Sequence, residues 1–456
     1  MKMKTGYRDY VEQWKALLSA KRIKRDWTPD DIEVKLENPD DEEFRHPFEA
    51  DVHRIQFSAP FRRLAGKTQV HPFAEVDFIH NRLTHSVEVA SVCRSLARRV
   101  GKFIYARGDF LDKSDIDKLG WIATVGGLGH DIGNPPYGHA GESAIQAWAK
   151  EYSKHNENKE LLSEDIWLDF KRFDGNAQAF RMLSRPDVRS TSYFRLTVAS
   201  LGALVKYPYD VAKVPDTTHP KFNCFASERK TFETVMKELG LYNPEVKSYL
   251  RHPVSYITEA ADDICYRISD FEDAVLMRLL PENVVRELFL DGLEYADQQK
   301  YKAKPLSHIR SKVIGLLIAE FAKQFEDHYD VIMEGSLEFD LKKYVSPRWH
   351  SILCRIKEMY ETIFAQRTKI VEEIGCYGQI STVMTLLFNL LHEIKGGCNR
   401  YNNLTFRTQR IVELAWGKEY FKENSDKPLE WWAHAILDHV AGMTDSYLNR
   451  LSNELG

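Results

Sequence analysis

Long apolar runs, strand-like alternation, net charge and paired cysteines are all scarce in this sequence, and each scarcity excludes something. The longest helical apolar run, Val313 to Ala319, is too short to cross a bilayer, which needs about 20 apolar residues. The N-terminal stretch MKMKTGYRDYVEQWK carries charge throughout and has neither an apolar core nor a small-residue cleavage site, which argues against a secretory signal. The six cysteines form no CxxC pair and keep no regular spacing. Neither a disulfide framework nor a thiolate zinc site is therefore indicated, and a reducing, cytoplasmic setting without a membrane is expected. A formal charge of -4 over 456 residues advertises neither nucleic acid nor a membrane surface as the main partner.

What is present is a globular composition, 43% hydrophobic and 29% charged, with apolar residues recurring near every 3.6 positions. The expected fold class is all-α, with at most a short β-hairpin, placed at Lys67 to Phe78 where β-formers flank His71-Pro72. The spacing predicts helices over Leu83–Val100, Leu119–His130, Ala140–Tyr152, Gly175–Ser184, Tyr193–Val205 and Pro253–Arg278. The acidic run from Glu37 to Glu43, Ser153–Asp165, Tyr207–Asn223 and Asp291–Pro305 read as surface connections. No internal repeat is found, and a soft boundary falls near residue 300.

Three stretches could carry chemistry. In GGLGHDIGNPPYGH, Gly133, Pro135 and Pro136 cannot continue the helix before them, so His130 and Asp131 sit at a helix end where neighbouring side chains can converge. The competing reading is a plain C-terminal cap, with His130 favoured by the helix dipole. His85 shares an apolar stripe with Val89, Val92 and Leu96, so it is either a satisfied core histidine or a ligand in a dry site. Asp262, Tyr266 and Asp270 repeat at one-turn steps opposite the stripe through Ile257, Ala261, Ile264 and Ile268, as either a solvated face or a substrate face. Two imidazoles and two carboxylates together neutralise a divalent cation and suit Mn²⁺, Mg²⁺, Fe²⁺ or Co²⁺.

The arrangement His85, His130-Asp131, Asp262 resembles the HD-domain phosphohydrolases, and more specifically the bacterial deoxyguanosine triphosphate triphosphohydrolase family. The similarity also covers FRRLAGKTQV (61–70), NRLTHS (81–86), GHDIGNPPYGHAGE (129–142), FDGNAQAFR (173–181), LVKYP around Lys206, ADDICY (261–266) and AGMTD (441–445), in family order across nearly the whole chain. The resemblance implies an HD-domain catalytic core over 51–290, after an N-terminal extension over 1–50, with a C-terminal helical region over 291–456 packed on it. It implies that His85, His130, Asp131 and Asp262 hold a divalent metal, Mn²⁺ or Mg²⁺ first and Co²⁺ or Fe²⁺ after them, and that His139 and Glu142 are the catalytic pair. It implies Arg82 and Lys206 on the triphosphate, with Lys221 and Lys230 as weaker candidates. Gln69 and Asp270 fall on the sugar 3′-hydroxyl, Tyr266 against the deoxyribose, and the backbone at Val70 on the base edge. Asn176 either supports the site or merely caps its helix.

The implied reaction is hydrolysis of a deoxynucleoside triphosphate, dGTP foremost, to deoxynucleoside and tripolyphosphate. The alternatives are another HD-domain phosphohydrolase, acting on a monophosphate, an alarmone or a cyclic dinucleotide, or a nucleotide- or single-stranded-DNA-binding module with a vestigial metal site. For the last, Arg62, Arg63, Arg94, Arg98 and Arg99 are either part of a groove or simply solvated. The resemblance further implies a homo-oligomer, commonly a hexamer, with a nucleotide or single-stranded DNA as an effector. The stretch Tyr377 to Asp445 is the expected interface.

Overall fold

The computed structural model describes residues 10–27, 32–39, 45–69, 79–185, 194–215, 220–245, 248–364 and 367–455. Among these residues the chain forms 22 α-helices and two two-stranded antiparallel sheets, as the dominance of the helical period requires. Asn81 starts the first long helix: its side-chain oxygen accepts from the N–H groups of Leu83 and Thr84, while Thr84 Oγ1 accepts from the Asn81 N–H. That helix runs Arg82–Arg107, a turn or more beyond the predicted Val100, and ends on Gly108 at φ 93°. The other expected helices appear as Asp115–Gly129, His139–Tyr152, Gly175–Ser184, Val198–Ala203 and Pro253–Leu276. Part of the predicted Tyr193–Val205 helix is irregular chain, with Arg195 at φ 45°, and Thr197 caps the helix that begins only at Val198; Tyr193 lies outside the described residues.

Helices Arg82–Arg107, Asp115–Gly129 and Pro253–Leu276 form the heart of the first core, and glycine lets them meet closely. A β-carbon on Gly127 would lie 2.6 Å from the Ala90 Cα, and one on Gly126 would lie 2.4 Å from Thr258 Oγ1. Backbone therefore packs against backbone where three side-chain-bearing helices would stand further apart. Val89, Leu96, Val100, Ile122, Ile257 and Ile264 fill the surrounding space, and Trp14 and Leu17 from the N-terminal helix Val11–Leu17 join them. A second core gathers residues distant in sequence: Trp148, Trp167 and Phe170 meet Phe388, Leu391, Trp432 and Ile436.

Several expectations are corrected. The stretches read as connections at Ser153–Asp165 and Asp291–Pro305 contain helices Asn156–Lys159 and Tyr295–Tyr301, and helix Glu164–Lys171 begins within the first. A hairpin pairs Arg22–Trp27 with Ile32–Glu37, where none was expected, and Tyr242–Asn243 pairs with Ser248–Tyr249. Of the hairpin expected at Lys67–Phe78, residues 70–78 lie outside the described residues, as do residues 40–43 of the acidic run, while Thr68 bridges to Asn81. The longest apolar element is not Val313–Ala319: Lys369–Lys395 is long and apolar enough to cross a membrane by length and composition. Its Cys376, Ile380, Val383, Met384, Phe388 and Leu391 are buried in the second core, and Gln379, Ser381, Thr382 and Thr385 interrupt the run that a sequence scan looks for.

Candidate metal and active site

The end of helix Asp115–Gly129 places His130 and Asp131 where the chain leaves helical pairing for the turns of the proline-rich segment. His130 Nδ1 donates to the Gly127 carbonyl at 2.8 Å, which leaves Nε2 as the lone-pair nitrogen. That Nε2 lies 3.7 Å from Asp131 Oδ1 and 3.6 Å from Asp262 Oδ1. His85, only 1% exposed, brings Nε2 within 3.0 Å of the same Asp262 oxygen, and its ring meets His130 edge-on at 5.4 Å. Ligand atoms of His85, His130 and Asp131 all lie within 4.8 Å of one another. His85 is thus both buried in the core and turned with its polar edge towards a carboxylate, which fits either reading of it.

Burial opposes ionisation of Asp262, yet His130 and His85 overcome it and hold the carboxyl well below the usual range. Asp131 is likewise buried and likewise lowered, by Arg82 and then by the two imidazoles. Arg82 Nη1 donates to Asp131 Oδ2 at 2.9 Å and Asn134 Nδ2 to Asp131 Oδ1 at 2.5 Å. The result is a set of ionised carboxylates and imidazole nitrogens with fixed orientation, a donor set suited to a divalent cation.

The turn that follows carries Tyr137 at φ 61° and Gly138 at φ 58°, and it delivers His139 to the start of helix His139–Tyr152. Two buried groups hold this turn. The Lys67 ammonium donates to the carbonyls of Asn134 and Ala441 at 2.5 and 2.6 Å, and the Asp445 carboxylate accepts from Tyr137 N and Thr68 N at 2.9 Å each. Burial pushes the Lys67 amine down to about 7. His139 is 86% exposed at its side chain, and its Nδ1 donates to Glu142 Oε2 at 2.8 Å. Glu142 is buried; its other oxygen accepts from Gly175 N at 2.7 Å. Burial would raise the Glu142 carboxyl, but His139, Lys221 and the Gly175 amide bring it below its ordinary value.

These groups open on one cavity of about 610 Å³, lined by ten of the expected residues: Gln69, Arg82, His85, His130, Asp131, His139, Asn176, Lys206, Asp262 and Tyr266. Lys206 is held by Glu259 at 2.9 Å and its pKa is raised, Glu259 outweighing the effect of burial. Lys221 also lines the cavity, 3.7 Å from Glu142 and 3.5 Å from Asp174, whereas Lys230 does not. The cap of helix Gly175–Ser184 is Asp174, not Asn176, whose N–H and side-chain amide both donate to Asp174 Oδ1. Asp270 stands behind the lining, 2% exposed, with burial pushing its carboxyl up to about 7. The solvated-face reading of this helix side is therefore overturned at Asp270. Val70 lies outside the described residues.

Sequence reasoning passed over Asn134, Asp174, Glu259, Lys67 and Tyr360, together with Lys369, Glu372 and Glu373, which bring helix Arg367–Lys395 to the cavity. AGMTD did contain Asp445 but gave no reason for it. Three of the five arginines considered for a groove have partners within the chain: Arg94 stacks on Trp121 at 3.7 Å, Arg98 pairs with Asp117 at 3.6 Å, and Arg62 donates to the Phe57 carbonyl.

Residues 82–174 match the HD domain family. Over nearly its whole length the chain is similar to proteins described as deoxyguanosinetriphosphate triphosphohydrolase-like. The one from Pseudomonas aeruginosa (strain LESB58) is 34% identical, covering 97% of this chain and 98% of its own. The one from Synechocystis sp. (strain ATCC 27184 / PCC 6803 / Kazusa) is 37% identical, covering 97% and 99%. A deoxyguanosinetriphosphate triphosphohydrolase of Yersinia enterocolitica is 30% identical over 71% of this chain and 72% of its own.

Proposed function

The chain belongs to the deoxyguanosinetriphosphate triphosphohydrolase-like family of HD-domain proteins, and from that membership we propose that it hydrolyses deoxynucleoside triphosphates, dGTP foremost, to deoxynucleoside and tripolyphosphate. The observation that carries this reading is the meeting, in one cavity, of a His-His-Asp trio with Asp262, of His139 backed by Glu142, and of the cationic side chains Arg82, Lys206, Lys221 and Lys369. His85, His130, Asp131 and Asp262 would hold a divalent cation, Mn²⁺ or Mg²⁺. When bound, such an ion supplies a lowered pKa for water and polarisation of a phosphoryl oxygen.

The chain's own groups do the rest. Glu142 fixes the His139 ring through Nδ1, so Nε2 is the atom that takes or gives a proton at the reacting phosphate. Arg82, Lys206 and Lys221 face the charge of a triphosphate with charge-assisted hydrogen bonds. Gln69 Oε1 and Asp270 Oδ1 are buried and have no hydrogen-bond partner among the described residues, which suits acceptors waiting for a sugar hydroxyl. Tyr266 packs against the deoxyribose. A 2′-hydroxyl pressed on its ring would lose water without gaining a partner, at a cost of about 1–3 kcal/mol. A homo-oligomer belongs to the same reading, with the stretch Tyr377 to Asp445, where Tyr377, Phe406 and Leu414 are exposed, as its interface.

The test is product identification. With Mn²⁺ or Mg²⁺ the purified protein should release tripolyphosphate and deoxyguanosine from dGTP, a chelator should stop it, and His130→Ala should lose turnover while keeping its helical circular dichroism. Pyrophosphate or orthophosphate as the product moves the protein to another HD-domain phosphohydrolase class. Nucleotide binding without turnover makes it a binding module.

A further inference from the structure

Tyr360 lies near the end of helix Pro347–Phe364, some ninety residues beyond the helix that carries Tyr266 and Asp270, and is 7% exposed. Its ring stacks on the Tyr266 ring, with centroids 4.9 Å apart and planes 14° apart, and its other side is fixed by the edge of Phe271 at 5.4 Å and 89°. The Tyr360 hydroxyl lies 2.8 Å from the Tyr266 carbonyl oxygen and 3.0 Å from Asp270 Oδ2. One phenol thus touches two residues of the proposed sugar pocket, Tyr266 by its face and Asp270 by its hydroxyl. With Oδ2 held there, the carboxyl of Asp270 cannot rotate freely, and its second oxygen, Oδ1, is the buried atom with no partner among the described residues.

We propose that Tyr360 is a positioning residue for sugar selection: its hydroxyl orients Asp270 so that Oδ1 meets the 3′-hydroxyl, and its ring backs Tyr266 against C2′. The proposal rests on the reading of the cavity as a deoxynucleoside triphosphate site. The division of labour is specific. Losing the hydroxyl affects recognition of the 3′-oxygen only, and losing the ring also loosens the exclusion of a 2′-oxygen.

The experiment compares kcat/KM for dGTP, 2′,3′-dideoxyGTP and GTP in the full-length protein. Tyr360→Phe keeps the ring and should lower kcat/KM for dGTP about tenfold, mainly through KM, the scale of one lost hydrogen bond to a carboxylate. Turnover of dideoxyGTP, which has no 3′-hydroxyl, should stay within twofold, so the preference for dGTP over dideoxyGTP collapses. In an Asp270→Ala background the same change should have no further effect on that preference. Tyr360→Leu should in addition raise the relative rate with GTP. An unchanged dGTP to dideoxyGTP ratio in Tyr360→Phe, or equal losses with both nucleotides, overturns the proposal, and Tyr360→Phe decides alone if Tyr360→Leu does not fold. Failure of the wild type to hydrolyse dGTP at all would instead sink the functional reading.

Discussion

Glu142 shows how much one side chain is asked to do: one oxygen orients His139, the other is tied to the Gly175 amide, and the whole carboxylate is buried. A β-carbon on Gly175 would lie 2.9 Å from Glu142 Oε1 and 2.4 Å from Asn134 Oδ1, so glycine is what lets the amide approach. Replacing Glu142 by glutamine keeps the shape and removes the charge that stabilises a protonated His139. We expect kcat to fall roughly 10²-fold, the low end for one acid–base group, with KM nearly unchanged, read from steady-state kinetics with dGTP. A fall of less than threefold would remove the pair from the proton path. At this scale the sequence was informative where the signal is local: His130-Asp131 lie at a helix end set by Gly133 and two prolines, and His139 with Glu142 stand three apart, a spacing that permits contact. Tyr360, Glu259 and Lys67 carry no such signal. Each acts across tens to hundreds of positions, and nothing in its own neighbourhood distinguishes it from a packed or solvated residue.

Helix Asp115–Gly129 delivers His130 to His85 only because Gly127 sits on the Ala90 backbone. Gly127→Ala would force the two helices apart or bend them, and we expect a loss of about 1–3 kcal/mol in urea unfolding together with weaker activation by Mn²⁺. An alanine variant of full stability and full activity would show that the close approach is dispensable. The helices were legible as elements because their apolar period is sustained over many turns. The hairpin Arg22–Trp27 with Ile32–Glu37 was not, for a physical reason: two of its buried positions are arginines. Arg22 pairs with Asp51 and Arg25 with Glu228, all buried; three positions apart, the two arginines point to opposite faces, so neither face of the strand reads as an apolar row. Short helices such as Tyr295–Tyr301 were missed because one or two turns hold too few apolar positions to show a period.

Across the whole molecule, the C-terminal helices and the turn bearing His139 are one mechanical unit. Lys67 bridges Asn134 to Ala441, and Asp445, 2% exposed, holds Tyr137 and Thr68. Asp445→Ala removes the buried acceptor of two half-buried N–H groups, so we expect a stability loss of about 1–3 kcal/mol by chemical denaturation. A kcat loss of tenfold or more should accompany it as the turn bearing His139 relaxes. Normal kcat in that variant would show that the turn holds itself. The second core makes the same point, because residues 144–225 and 376–451 bury their aromatics against one another. The sequence by itself determined the helical class, the presence of the main helices and the order of the motifs that identify the family, because these depend on period and short spacing. Only the tertiary structure decided that Asp270 is buried rather than solvated, that Lys67 and Asp445 clamp the turn bearing His139, and that Tyr360 backs Tyr266. Those contacts join segments far apart in the chain, and what creates them is the packing of helices, which no local pattern of residues records.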